Sequence, residues 1–378
     1  VTCSLRTAMD VPVFKRWVYQ TPALVYKRES GTLLVFSSVT AGGTSRKLLM
    51  KRGVVKKSSD TLSLEFDQKK MVKEADLPGH SSINPCPVFD EKENKLFLFF
   101  IISSTEQQQE EHPCHKTRLC YLTSDNFGES WSEVTHLTAC LPEHCVTLAI
   151  GPGHGLQTKN GRLIIPTYAC VDENSADDKP VPHAVALYSD DGGESWQFGS
   201  LIQDKSAGCQ MAEIWGEEGR LIYCNASNES GRLVEAFSKD NGDTFVVSEG
   251  GKLTNTPSGN QGSLLSLPVQ NAAAVRSDAS CTLNQWLLFT QPNSAGTELR
   301  VYVNKTPSDP NAWTAPWILN RGPSGHSDMV YLGDGCIACI FETGEDESID
   351  SVAMKIFFFS DIKPNTEDKT NGRPCMIM

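Results

Sequence analysis

Apolar and polar residues alternate along this chain in short runs. The clearest are TLLVFSS (32–38), KLFLFF (95–100), RLIIPTYA (162–169), HAVALYS (183–189), RLIYCNA (220–226), QWLLFTQ (285–291), LRVYVNK (299–305), CIACIFE (336–342) and VAMKIFFFS (352–360). All are rich in β-branched and aromatic residues, and turn formers such as ENK, KNG, DDGG, DNGD and GDG separate them. A period of two puts one side of each run toward a core and the other toward solvent or a second layer. Helical spacing surfaces only weakly, in DQKKMVKEADL (67–77), which reads as a solvated connection. The pattern predicts an all-β chain with no Pro-, Gly- or Ser-rich linker to divide it. One domain therefore spans residues 1–361, and residues 362–378 form a polar tail.

One punctuating element recurs. Ser189-x-Asp191-x-Gly193-x-Ser195-Trp196 has the form S-x-D-x-G-x-[ST]-[WF], and Ser238-x-Asp240-x-Gly242-x-Thr244-Phe245 repeats it. In a third copy, Ser124-x-Asn126-x-Gly128-x-Ser130-Trp131, Asn replaces the Asp. Each unit can close a hairpin corner: the Asp or Asn side chain accepts turn N–H groups, Gly takes a positive φ, and the aromatic staples the turn to its sheet. A calcium loop fits less well, because each unit is short and lacks a terminal bidentate Glu. Strand-linked repeats of this kind point to the blades of a β-propeller.

Charge and cysteines narrow the function. A formal net charge of −12 disfavours nucleic acid as a partner. No apolar run approaches the ~18 residues of a membrane helix. The opening residues, VTCSLRTAMD, lack the apolar stretch of a signal peptide, so the 13 cysteines read as thiols of a reducing compartment. Two groups have the residue types of a zinc site, namely His112, Cys114, His115 and Cys120, and the pair Cys336 and Cys339. The pair lies in a strand, where residues three apart face opposite sides. Neither metal nor cofactor is expected.

Beyond the repeats, several stretches carry a family resemblance: YQTPAL (19–24), INPCPVF (83–89), TEQQQ (105–109), GPGHGLQ (151–157), CQMAE (209–213), GSLL (262–265) and Ser327-Asp328. With the repeats, which look like Asp boxes, they resemble the sialidase (neuraminidase) family, and in particular the animal cytosolic and membrane-associated members, from about residue 11 to about residue 360. The resemblance implies a six-bladed β-propeller with its site at the central mouth. It also implies an exo-α-sialidase activity: three arginines clamp the sugar carboxylate, a Glu-polarised Tyr is the nucleophile, and an Asp on a loop is the acid/base. Arginine suits the clamp because its planar fork donates paired, charge-assisted hydrogen bonds.

At the positions that match, this chain departs from the pattern. Gln20 stands where the resemblance places the first arginine, Ser227 at the second, and Gly296 near the third. Ser38 takes the place of a Glu, the loop AGGTSRK (41–47) holds no carboxylate, and His326 occupies the nucleophile's position. Glu213, Glu106, Tyr168 and Glu342 remain at positions that look site-adjacent. Each clamp contact is worth roughly 1.5–3 kcal/mol, so losing three costs about 5–9 kcal/mol. Arg46, Arg232, Arg300 and Arg321 are the cations near enough in sequence to rebuild a clamp, and Arg300 shares strand parity with Gly296. The expectation is a degenerate site, with Glu213 and His326 as a new acid/base couple. Gln20, Glu106, Tyr168, Ser227, Arg300 and Glu342 would line a pocket for a small-molecule or glycan ligand. His154, flanked by glycines, reads as structural.

The chain ends Cys375-Met376-Ile377-Met378, a C-a-a-X form that would place a prenyl group on Cys375 and bring the protein to a cytosolic membrane face. Sequons at Asn225, Asn228 and Asn304 keep a secretory route open. The expected location is cytoplasmic, with membrane association through the tail.

Overall fold

A computed structural model describes residues 2–4, 9–14, 19–40, 45–58, 61–104, 117–137, 144–151, 153–172, 180–216, 219–228, 231–249, 251–254, 262–269, 284–345 and 348–363. Every sheet is antiparallel, and six of them stand in succession around one axis, which makes the molecule a six-bladed β-propeller. From the axis outward, blade 1 has strands Tyr19–Lys27, Thr32–Thr40, Arg46–Lys57 and Thr61–Phe66, and blade 2 has His80–Asp90, Lys95–Ser104, Thr117–Ser124 and Thr135–His136. Blade 3 starts with Cys145–Ile150, continued by Leu156–Gln157, then Leu163–Val171, Val181–Ser189 and Gln197–Phe198. Blade 4 contains Ala207–Gly216, Gly219–Ser227, Val234–Ser238 and Val246–Val247; blade 5 contains Ser263–Val269, Asn284–Pro292, Glu298–Asn304 and Trp317–Arg321. Blade 6 contains Ser327–Gly333, Cys336–Thr343 and Ser351–Phe358. Its outermost strand, Met9–Phe14, comes from the start of the chain and closes the ring.

The nine alternating runs occupy the second and third strands of the blades, where both faces are covered by neighbouring blades. Such positions favour the near-continuous apolar character those runs show. The cores lie between blades. Leu34, Phe36, Leu98 and Phe100 fill the space between blades 1 and 2, and Phe97, Phe99, Ile165 and Trp196 the space between blades 2 and 3. Cys336 packs in the cluster toward blade 1 and Cys339 in the cluster toward blade 5, so the two sulfurs face opposite sides of their strand.

The three repeated units form turns of one design between the third and fourth strands of blades 2, 3 and 4. Asp191 Oδ1 accepts Ser195 N–H at 2.9 Å and Ser189 Oγ accepts Gly193 N–H at 2.8 Å; Asp240, Thr244, Ser238 and Gly242 repeat the arrangement. Asn126 and Ser124 reproduce it with an amide. Gly193 sits at φ +87, and a Cβ there would lie 2.2 Å from the Phe97 ring, so glycine lets the turn press onto blade 2. Blade 5 holds a fourth turn at the same station, without the motif: Asn304 donates to Asp309 O and accepts from Thr306 N, and Trp313 packs beneath. Asn304 and Asn225 are both fully buried, which removes two of the three sequons as glycan acceptors in the folded chain.

Seven described cysteines are free thiols. Cys170 is disulfide-bonded, which corrects the all-thiol expectation at that residue. Among the described residues, no helix is long and apolar enough to cross a membrane. Glu106, most of the 41–47 loop, His112, Cys114, His115 and Cys375 fall outside the described residues.

Arg162 bridges blades 3 and 4 through these turns. Its guanidinium takes Asp190 at 2.7 and 2.8 Å and Asp243 at 2.8 Å, and it stacks on the Tyr188 ring. Replacing Arg162 with Met should lower the unfolding free energy in urea by about 1–3 kcal/mol. The same change at Arg321, 75% exposed beside Glu298, should cost about 0–1 kcal/mol.

Candidate active site

All six inner strands run the same way, so their first residues gather at one mouth of the central channel and their last residues at the other. Gln20 and Thr21 begin blade 1 there, and His326 leads into blade 6. The inner strand of blade 1 is bulged between Gln20 and Ala23, with Thr21 at φ 52. The bulge turns the Thr21 N–H toward the axis. It is fixed from behind by Ser37 and Ser38, whose hydroxyls donate to Gln20 O at 2.9 and 3.0 Å. The hydroxyl at Ser38 therefore serves the backbone.

Glu342, only 4% exposed, collects the donors around this bulge. Its Oε1 accepts Thr21 N–H at 2.7 Å and its Oε2 accepts His326 N–H at 3.0 Å, while His326 Nδ1 lies 3.1 Å from both oxygens. Burial alone would push the Glu342 carboxyl up; the His326 imidazolium and the two backbone donors outweigh it and hold the group below the usual carboxylate range. Burial likewise disfavours the charged imidazole, but Glu342 raises the His326 pKa above its ordinary value. Gly325 permits this contact, since a Cβ there would stand 2.2 Å from Glu342 Oε2. The Arg46 guanidinium is within electrostatic reach of the same carboxylate, and burial lowers its pKa.

The expected couple of Glu213 and His326 does not form. Ser227 pairs with Ala207 at the start of its blade, at the mouth. Glu213 lies six residues further along that inner strand, about 20 Å toward the opposite end. There it accepts Lys159 N–H at 3.0 Å and takes Arg220 at 3.1 Å. The imidazole's acid partner is Glu342 instead. Tyr168 stands on the mouth half of blade 3, beside Cys209, and burial pushes its phenol up to about 12.

The cations divide sharply. Arg300 gives Nε and Nη2 to Glu298 at 3.2 and 3.0 Å, and Arg321 takes the other oxygen at 3.3 Å. Arg232 is exposed and sits in a backbone bridge with Thr254. Of the four arginines, only Arg46 is found beside the acid of the mouth. Glu298 and Arg300 stand two apart on one strand face, the sequence signal for this competing pair.

Deeper in the channel lies a residue to which sequence reasoning assigned no role. Asp328 is fully buried; it accepts Leu24 N–H at 2.7 Å, Ser263 Oγ–H at 2.8 Å, Met329 N–H at 2.9 Å and His154 Nδ1 at 2.7 Å. It ties blades 1, 3 and 5 to blade 6.

The BNR repeat-like domain family matches residues 54–339. Sialidase-3 of Rattus norvegicus is 35% identical, with 92% of this chain and 94% of the relative covered. Sialidase-2 of Mus musculus is 34% identical over 88% of this chain and 90% of the relative. Among solved structures, the Hadza microbial sialidase Hz136 aligns with a TM-score of 0.72 at 18% identity, covering 92% of this chain and 66% of that one. Trypanosoma rangeli sialidase aligns with a TM-score of 0.67 at 15% identity, covering 93% and 59%. The chain belongs to the sialidase family.

Charged Glu342 and His326 support each other only while both are ionised. Glu342, with its pKa lowered, contributes stability above its ordinary value of 4.5 and loses it as pH falls through the folded value. His326, with its pKa raised, contributes fully below its ordinary 6.5 and loses it as pH rises through the folded value. The unfolding free-energy gap between wild type and His326→Ala should therefore be widest between pH 4.5 and 6.5 and narrow on either side. Urea titrations across pH measure it.

Proposed function

We propose that this protein is a sialidase-family propeller that has given up hydrolysis. Its mouth binds a neutral or cationic small molecule or glycan. The carrying observation is where the charged side chains are spent: Arg300 and Arg321 on Glu298, His326 on Glu342. With Gln20, Ser227 and Gly296 at the positions where the family resemblance expects arginines, a sugar carboxylate meets no converging guanidinium fork. The shortfall of roughly 1.5–3 kcal/mol per contact corresponds to about 10³- to 10⁶-fold weaker binding over three contacts. The tyrosine's place holds an imidazole already engaged by a carboxylate, and no Asp stands in 41–47. Membrane tethering through Cys375 belongs to the same proposal and rests on the terminal tetrapeptide alone.

A second reading keeps the family's exo-α-sialidase activity, on glycoproteins or gangliosides. The kinship with relatives named sialidases favours it, as does the His326–Glu342 pair, which has the composition of an acid/base couple. Incubation of purified protein with a fluorogenic sialoside separates the two. The binding-protein reading expects no turnover above that of Glu342→Gln. Robust turnover that Glu342→Gln abolishes would establish the hydrolase.

A further inference from the structure

The channel has a second opening, built by the last residues of the inner strands, and a cavity of about 630 Å³ lies there. Its walls come from blades 1, 2, 3, 4 and 6, with Leu24, Val88, Phe89 and Val330 giving it an apolar side. His154, Thr158 and Lys159 are among the polar residues that complete the lining. Nothing in the mouth chemistry uses them.

His154 is the most constrained. Asp328, itself fully buried, takes its Nδ1 at 2.7 Å, which leaves Nε2 as the ring nitrogen without a partner among the described residues. Burial disfavours the imidazolium, but the Asp328 charge and hydrogen bond outweigh it and raise the pKa; in that charged form the ring presents Nε2–H as a donor. Thr158 adds an independent sign. It is 3% exposed and lines the cavity, yet its Oγ1 has no hydrogen-bond partner. A buried hydroxyl left unpaired is a net cost to the fold, which a ligand's acceptor would relieve. Lys159 also lines the cavity, its backbone N–H held by Glu213.

Two carboxylates and one more cation complete the charge inventory. Glu213 is neutralised by Arg220 at 3.1 Å, and Lys92 lies 3.6 Å from Glu93. Glu91 stands exposed at the edge, its N–H given to Gln157. The His154 charge is matched by Asp328. What remains are the imidazole and the hydroxyl against an apolar wall, with the exposed Lys159 and Glu91 at the rim.

We propose that this cavity is a second ligand site, separate from the mouth, for a small organic anion: a carboxylate carried on an apolar body. One carboxylate oxygen would take a hydrogen bond from charged His154 Nε2 and the other, as the wall yields to uncover it, from Thr158 Oγ1, with Lys159 at the rim, and its apolar part would cover Val88 and Phe89.

Calorimetric titration of the whole protein with 3-phenylpropionate tests this, with 2-phenylethylammonium as the control of opposite charge. One saturable site for the carboxylate is expected, weakened about tenfold or more in His154→Gln and severalfold in Thr158→Val. The ammonium should not bind, and His326→Ala, at the other mouth, should bind the carboxylate as wild type does. Thr158→Val should also raise the melting temperature of the free protein, since it removes the orphaned hydroxyl. Equal binding of both ions, wild-type affinity in Thr158→Val and Lys159→Ala, or loss of binding in His326→Ala would overturn the proposal. If His154→Gln does not fold, Thr158→Val and Lys159→Ala carry the comparison.

Discussion

A propeller must keep six separately hydrogen-bonded sheets in register around an axis that offers no continuous core. Here one buried carboxylate does much of that. Removing an ionised Asp from water is costly unless the group is surrounded by donors, and Asp328 has one from each of blades 1, 3 and 5 as well as the N–H of Met329 beside it. Each donor is usable only if its blade is in place, so the interaction rewards the closed ring as a unit. Glu342 does the same nearer the mouth, linking blade 1 to blade 6 through the Thr21 bulge. Both acids reach the axis through blade 6, the blade that the N-terminal strand completes.

The same economy shapes the chemistry of the mouth. A charge already matched by a neighbour is a poor instrument for gripping a ligand, because binding must break one charge-assisted contact to make another. Arg300, Arg321 and His326 are all matched. The family's fold has been retained, along with the turns that lock its blades, while these three charges are each held by a neighbour. Among the described residues, polar atoms without partners lie instead at the far opening, at His154 Nε2 and Thr158 Oγ1.

Much of this was legible in the chain. The repeated Ser-Asp-Gly-aromatic units reveal the blades because their chemistry is local: an Asp or Asn, a glycine and an aromatic within eight residues. The runs on second and third strands are equally plain. Inner strands are not, since each mixes channel-facing polar residues with bulges, as between Gln20 and Ala23 or Ile83 and Cys86. That is why Glu213 was misplaced: a carboxylate at the far end of an inner strand reads like one at the mouth when the strand's start is hidden. The partner of His326 could have been found, because a hairpin turning at Gly333–Gly335 sets it opposite Glu342. Asp328 could not, as its partners lie on blades distant in sequence. The fourth turn, at Asn304, was hidden because it lacks the glycine that marks the others.

The proposed loss of hydrolysis requires that no set of guanidinium groups be free to hold a carboxylate above the mouth. Isothermal titration with free sialic acid at low and high salt addresses it most directly. The account predicts no saturable binding at millimolar sugar and no dependence on ionic strength. Micromolar affinity that weakens with added salt, and disappears when Arg46 and Arg300 are both replaced by Ala, would contradict it.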